Sequence, residues 1–449
     1  MAFGGTSTNG ELQGLEIDTT VFPDALCNDG TKAVLYYRPF RGAQNRNRWV
    51  ISLRGGGGCG SASGCATRWC ACNSTTRCPF ASTTTNFTLD NMSGGGRRSV
   101  DVGGVLQRDA FPSPLQDYNH AQFVYCSSDG WRGAARGVSN TTTHPITGQS
   151  VTYVMHFLGT KILEADLKTL RADGVAPLNY ALQTTAAVMP DLDDAQEVVF
   201  AGDSAGGAGI INNLDWLAET LRQRHVGCDG GAACPPRVMG IMDAIVGPDL
   251  SRLDWSNSIG RDAGIVTYQG FTLLSPPATS TGRGDQSCLD WHRANQPATE
   301  ASCTDTMHLV RHHVTTPFVV RMALLDSLIS GNYEELGVAD PVLGPFTKTP
   351  QGVPLVFATV LARELNAFPN LRSTAEEGNA ITVAPGVFAP SCSKHDTIHT
   401  NSEVFGVSIT PDGGSPLFFF DVFNAWRDGG TPTGVISSDP RRSDTVCPP

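Results

Sequence analysis

The segment VVFAGDSAGGAG at 198–209 constrains this chain more than any other: an apolar strand runs into Gly202-Asp203-Ser204-Ala205-Gly206 and then into a helical pattern. Glycines flanking a strand-to-helix turn mark backbone so sharp that a side chain there would strike neighbouring backbone. Such a turn lifts the Ser204 hydroxyl off the end of a sheet and starts a helix beneath it. The helix N-terminus then presents the N–H of Ala205 to a developing oxyanion. Alone, the five-residue pattern is weak, because Gly, Ser and Ala are common. The strand before it and the helix after it make it informative. A chymotrypsin-like reading of GDSAGG fails on order, since it needs its histidine and acid before the serine, and the plausible histidines here lie downstream.

Short β-branched and aromatic runs recur at 33–39, 48–55, 121–126, 197–202 and 237–247, and read as buried strands. Between them lie helical patterns. In TKILEADLKTL at 160–170, Ile162, Leu163, Ala165, Leu167 and Leu170 form one apolar face, and a second helix should run from near Ser204 through IINNLDWLAETLRQRH. Strands alternating with helices predict an α/β chain of the α/β-hydrolase type, its mostly parallel central sheet flanked by helices. A length of 449 residues is compatible with a single domain over 1–449, with disulfide-pinned loop insertions around 55–120 and 275–305, where Gly, Ser, Thr, Pro and Cys dominate and periodicity is weak.

A formal net charge of −11 and basic runs no longer than Arg97-Arg98 and Arg441-Arg442 argue against a nucleic-acid partner and against adhesion to an anionic surface. No run approaches the ~18 apolar residues of a membrane span, and the opening MAFGGTSTNG has no signal-peptide pattern. The expectation is a soluble, secreted or extracytoplasmic chain. The 13 cysteines agree, because clusters in Gly- and Ser-rich loops suggest disulfides made in an oxidising compartment. Spacing predicts Cys59–Cys65, Cys228–Cys234 and Cys288–Cys303, with Cys27–Cys126 and Cys392–Cys447 as longer links. Asn73, Asn86, Asn91 and Asn140 begin glycosylation sequons. No metal or other cofactor is expected. The C-x-C-x5-C spacing of Cys70, Cys72 and Cys78 is not the paired pattern of zinc modules, and His308, His312 and His313 lack an H-E-x-x-H arrangement and read as core or solvated residues.

SLRGGGGCG at 52–60 places four glycines after a strand. Backbone N–H groups approach a tetrahedral oxyanion closely only where side chains are absent, so Gly56 and Gly57 join Ala205 as candidate donors. A phosphate loop is excluded by the missing Lys-Ser/Thr pair. General fold logic offers Asp243 as the acid of a triad, because it follows a strand, while Asp249 and Asp262 read as caps or loop carboxylates. The base comes from His395 or His399, whose four-residue spacing does not discriminate between them.

The motifs WVISLRGGGGCGSASGC (49–65), FVYCSSDGWRG (123–133), FAGDSAGGAG (200–209), PFVVRMALLDSL (317–328) and PSCSKHDTIH (390–399) run through most of the chain in order. In these the chain resembles the pectin acetylesterase and Notum carboxylesterase family. The resemblance implies a serine carboxylester hydrolase with Ser204 as nucleophile, Asp326 in MALLDSL as the acid and His395 in SCSKH as the base, acting on O-acyl groups of a carbohydrate or lipid-modified polymer. Gly57 departs from the family pattern, which usually has a Trp after the first glycines. A broad-specificity lipase or polyester hydrolase and a catalytically silent glycan-binding homologue are the alternatives. The sequence says nothing of oligomeric state.

Overall fold

The computed structural model describes residues 11–447 except 72–92, 95–98, 101, 110, 112, 176–178, 183–184, 226, 229–230, 232–233, 257–281, 369–382, 396–397 and 439–443. The central sheet has ten strands: β1 (Leu12–Glu16), β2 (Val34–Arg38), β3 (Arg48–Leu53), β4 (Ser99–Val100), β5 (Asn119–Phe123), β6 (Glu197–Asp203), β7 (Arg237–Asp243), β8 (Phe318–Arg321), β9 (Gly386–Ala389) and β10 (Gly434–Ile436). Their order across the sheet is β10-β9-β8-β7-β6-β3-β5-β2-β1-β4. Every pairing from β10 to β5 is parallel, and β2, β1 and β4 extend the sheet antiparallel. This is the mostly parallel α/β-hydrolase arrangement that the strand and helix runs predict.

Alternation along β6 explains why both faces are covered. Val198 and Phe200 point into one apolar cluster with Trp49, Ile51 and Leu53 of β3, whereas Val199 and Ala201 join Val50, Met239 and Ile241 in another. The first cluster is closed by α2 (Gly159–Leu170) and α3 (Ala205–Arg224), the second by the helix Phe419–Arg427. In α2 all five residues of the expected apolar face are buried. A strand buried on both sides reads as a continuous apolar run, and β6 does so up to Asp203.

Two of the expected loop regions contain helices. Residues Ala62–Ala71 form α1, which buries Cys65, Ala66 and Cys70, and Gln286–Asn295 form α4. The carboxylate of Asp285 caps α4, accepting from Cys288 N at 2.9 Å. The apolar periodicity of these stretches is weak, so caps and cystines rather than pattern fix them. All five expected disulfides are present, with Cα–Cα distances of 4.9 Å for Cys27–Cys126, 5.0 Å for Cys59–Cys65, 5.8 Å for Cys228–Cys234, 5.7 Å for Cys288–Cys303 and 5.8 Å for Cys392–Cys447. Cys70 is disulfide-bonded as well. Cys72, Cys78, Asn73, Asn86, Asn91, Asp262, Arg97-Arg98 and Arg441-Arg442 lie outside the described residues, while Asn140 stands on a hairpin formed by Ala135–Thr143 and Ser150–Phe157. Among the described residues no helix is long and apolar enough to cross a membrane.

The junction of β6 and α3 is packed backbone on backbone. A Cβ on Gly202 would lie 2.4 Å from Gly206 O, and one on Gly206 would lie 2.0 Å from Leu53 O. Both contacts are with main chain, so neither is relieved by a rotamer change. Gly206→Ala is therefore expected to destabilise the fold by about 1–3 kcal/mol, the usual cost of overpacking. Chemical denaturation measures it, and a midpoint equal to wild type would contradict the packing.

Candidate active site

Ser204 sits at the turn between β6 and α3 with φ 51° and ψ −121°, a left-handed conformation that an L-residue holds only when its surroundings over-determine it. Here they do. Ser204 N donates to Asp243 O at the end of β7 at 2.9 Å, and Ala208 N donates to Ser204 O at 2.9 Å. The serine is 6 % exposed, at the level of the sheet's C-terminal edge.

The glycine loop after β3 lies against this turn. Arg54 N donates to Phe123 O at 3.3 Å, and Gly55 N donates to Asp203 Oδ1 at 3.0 Å. A Cβ on Gly55 would stand 2.6 Å from Asp203 O and 3.0 Å from Ser204 Cβ, so the loop touches the elbow directly. Gly56 (φ 148°) and Gly57 (φ 64°) continue in conformations that favour glycine, and Tyr125 Oη fixes the loop by donating to Gly57 O at 2.7 Å. A Trp at position 57 would take a left-handed conformation at a cost of roughly 1–2 kcal/mol. This explains in backbone terms why glycine suits the loop as it stands.

Asp326 and His395 meet after later strand ends. Asp326 is fully buried and caps α6 (Ser327–Leu336), its Oδ1 accepting from Leu328 N at 2.9 Å and Ile329 N at 3.0 Å. Its other oxygen, Oδ2, lies 2.7 Å from His395 Nδ1. A carboxylate accepts only, so Nδ1–H donates and Nε2 is the atom left to take a proton. The loops carrying these residues are laced together: Leu324 N donates to Pro390 O at 2.8 Å, Leu325 N to Cys392 O at 3.1 Å and Ser327 N to Ser393 O at 3.4 Å. The loop carrying His395 is also tied to Asp243, whose carbonyl accepts from Ser204 N, because Ile398 N donates to Asp243 Oδ2 at 2.8 Å. Asp243 itself is ion-paired with buried Arg321 at 2.9 Å, which makes it a fastener between strands.

His399 is engaged elsewhere. Its Nδ1 lies 2.9 Å from Asp203 Oδ2, and its Nε2 is hydrogen-bonded to Ser52 Oγ of β3. Burial alone raises the Asp203 carboxyl, but His399, Arg54 and the Gly55 amide outweigh it and hold the group below the usual carboxylate range. One carboxylate thus grips the glycine loop with Oδ1 and the loop carrying His395 and His399 with Oδ2. Sequence reasoning missed this role, although the acid between glycine and serine in the turn was its visible signal.

The YCSSDGW stretch forms a second hub. Asp129 Oδ1 accepts from Ser127 Oγ at 2.7 Å and Trp131 N at 3.0 Å, and Oδ2 accepts from Gly159 N at 2.7 Å. Burial raises its carboxyl despite these donors. The hub sets Trp131 between the glycine loop and α3: Nε1 donates to Arg54 O at 3.1 Å, and a Cβ on Gly209 would lie 2.6 Å from Trp131 Cδ1.

Away from the elbow, four histidines gather. His292 of α4, His308 and His312 of α5 (Thr306–His312) and the following His313 pack ring to ring. Burial, then the neighbouring histidines, hold His308 down to about 2 and His313 down to about 3, so both rings are neutral near pH 7. The sequence reading noted three of the four and missed His292, which comes from another helix.

A mostly parallel sheet with a strained serine turn between strand and helix, a hydrogen-bonded Asp–His pair after later strand ends and a glycine loop against the turn defines an α/β-hydrolase. A family model described as pectinacetylesterase matches residues 8–232, and the chain belongs to that family. Palmitoleoyl-protein carboxylesterase notum1a of Danio rerio is 29% identical over 200 residues, 44% of this chain and 30% of that protein. Palmitoleoyl-protein carboxylesterase NOTUM of Drosophila melanogaster is 27% identical over 196 residues, 43% and 23% of the respective chains. The matches thus span about a third or less of the curated relatives' own length. The solved structure of the Wnt deacylase Notum from Drosophila superposes with a TM-score of 0.62 at 21% identity, over 98% of this chain and 100% of that one, which shows the shared fold.

Two expectations follow. His395→Ala should lose activity on esters by several orders of magnitude, with the Ser204→Ala/His395→Ala double variant little worse than either single, because triad members act as a unit. His399→Ala should lose far less, and the reverse ranking in folded protein would exchange the two roles. The second concerns acid. As the Asp203 pKa is lowered on folding, its contribution is present above the ordinary carboxylate range of about 4 and is lost as pH falls below it. The gap in unfolding midpoint between wild type and Asp203→Asn should therefore narrow from pH 7 to pH values under about 4, and a gap that widens on acidification would contradict the sign.

Proposed function

We propose that this chain is a serine carboxylic ester hydrolase acting through Ser204, His395 and Asp326. The reading is carried by the part-buried His395–Asp326 contact of 2.7 Å, together with the strained serine turn, φ 51° at Ser204. His395 takes the Ser204 proton as the hydroxyl attacks an ester carbonyl, and Asp326 fixes the imidazole tautomer and stabilises the imidazolium. The amides of Gly56, Gly57 and Ala205 hold the oxyanion. His395 then returns the proton to the leaving alcohol, and water hydrolyses the acyl-enzyme by the same route.

The substrate class we favour is an O-acyl ester on a carbohydrate or acylated polymer. Support comes from the family, described as pectinacetylesterase, and from relatives named palmitoleoyl-protein carboxylesterases. These names bracket acyl groups from short to long. We infer an extracytoplasmic location from five cystines among the described residues, since such bonds persist in oxidising compartments.

The test is hydrolysis of p-nitrophenyl esters of increasing acyl length and of acetylated glycans, by wild type and by Ser204→Ala. Wild type should turn over and be silenced by a serine-reactive phosphonate that labels Ser204, while Ser204→Ala should fall by several orders of magnitude with its fold intact. Wild-type-like turnover in folded Ser204→Ala would remove the nucleophile. A wild type that binds glycan without hydrolysing any ester would favour the binding-protein alternative.

A further inference from the structure

The geometry points to a buried divalent transition-metal site of the zinc class, formed by His292, His308 and His313, which staples α4 to α5 beneath the nucleophile helix. The three residues are 1 %, 4 % and 0 % exposed. Each offers one ring nitrogen, and these nitrogens together with Cys288 Sγ all lie within 4.8 Å of one another. The ring centroids form a near-equilateral triangle with sides of 5.2, 6.0 and 5.2 Å. Two imidazole nitrogens at Zn–N distances of about 2.0–2.1 Å in a tetrahedral shell stand roughly 3.3 Å apart, and His292 Nε2 and His308 Nε2 are already at 3.1 Å.

Hydrogen bonding around the cluster favours ligation over a purely structural histidine stack. Thr299 Oγ1 donates to Gln296 O at 2.9 Å, which leaves it to accept from His292 Nδ1 at 2.8 Å. Nδ1 of His292 therefore carries the proton and Nε2 turns a lone pair toward His308, the orientation that an outer hydrogen bond imposes on a metal-bound imidazole. His313 Nε2 is buried with no hydrogen-bond partner, a state that native structures rarely leave without an ion or a water. The sulfur of Cys288 is committed to Cys303, so the donor set is three imidazoles with the fourth position left to a water molecule. Imidazole donors select zinc-like ions over calcium or magnesium. The staple has a mechanical outlet: α5 packs against α3, which begins at the residue after Ser204.

The experiment uses untagged full-length protein, stripped with a chelator, dialysed and titrated with Zn2+ and, separately, Co2+. We expect about one tightly held equivalent of Zn2+ per chain, a rise of several degrees in the unfolding midpoint, and an intense visible Co2+ absorption of the four-coordinate type. His308→Gln should abolish the equivalent and the midpoint shift while leaving ester turnover at low temperature unchanged, because it lies outside the Ser204 machinery. Zinc uptake that persists in His308→Gln would overturn the site. If that variant fails to fold, the wild-type Co2+ spectrum decides alone: only the weak absorption of a six-coordinate ion, or no midpoint shift with Zn2+, overturns the proposal.

Discussion

The carboxylate of Asp203 is the point on which the active-site geometry turns. It precedes Ser204 in the same strained turn, it accepts the Gly55 amide of the glycine loop, and it holds His399 of the loop that carries His395. A buried charge is costly unless partners surround it, and removing one partner leaves the rest uncompensated. Asp203 is surrounded on both oxygens. The glycine loop and the loop bearing His395 and His399 are therefore both tied to the turn that carries Ser204, so these segments share one reference frame. Glycine completes the frame: Gly202, Gly206 and Gly55 let main chain approach main chain at distances that no Cβ permits.

What the sequence made legible is what local physics decides. β6 and α3 around Ser204 announce themselves by an apolar run, a glycine turn and a helical period, and α2 by its five-residue face. The short cystines followed from spacing, since Cys59 and Cys65 bridge only if their turn folds back. The sheet's parallel character followed from alternation of strands and helices. Asp326 and His395 were a different matter. Nothing in their local chemistry separates them from Asp243 and His399, each of which also ends a strand or sits in the same loop. Family resemblance selected them, and in the fold they lie 2.7 Å apart.

The features that escaped share a cause. Asp203 and His399 are 196 positions apart in the chain, Ser52 and His399 347, and His292 and His308 come from different helices. Periodicity reports which face a residue lies on, not which distant residue it meets there. The helices Ala62–Ala71 and Gln286–Asn295 escaped for a related reason. Their stability rests on tertiary fasteners, the Cys59–Cys65 and Cys288–Cys303 cystines and the Asp285 cap, which outweigh a weak local pattern.

The loop bearing His395 shows why so many fasteners are needed at one place. Residues 390–400 contain no helix or strand in the described part, and ordering each backbone residue costs about 1–2 kcal/mol. The loop meets that cost at intervals along its length. Pro390 and Cys392 carbonyls take amides from the acid loop, Cys392 is tied to Cys447, His395 is held by Asp326, Ile398 by Asp243 and His399 by Asp203. His395 thus lies between two anchored flanks, one fixed to the segment that bears Asp326 and one to the strand ends around Ser204. A general base works only within about 2.6–3.2 Å of the proton it takes, and a misplacement of roughly 1 Å costs on the order of a hundredfold in rate. On the proposed mechanism, anchoring both flanks of His395, to the segment of Asp326 on one side and to Asp203 and Asp243 on the other, gives an irregular loop the precision that a helix or strand would otherwise supply.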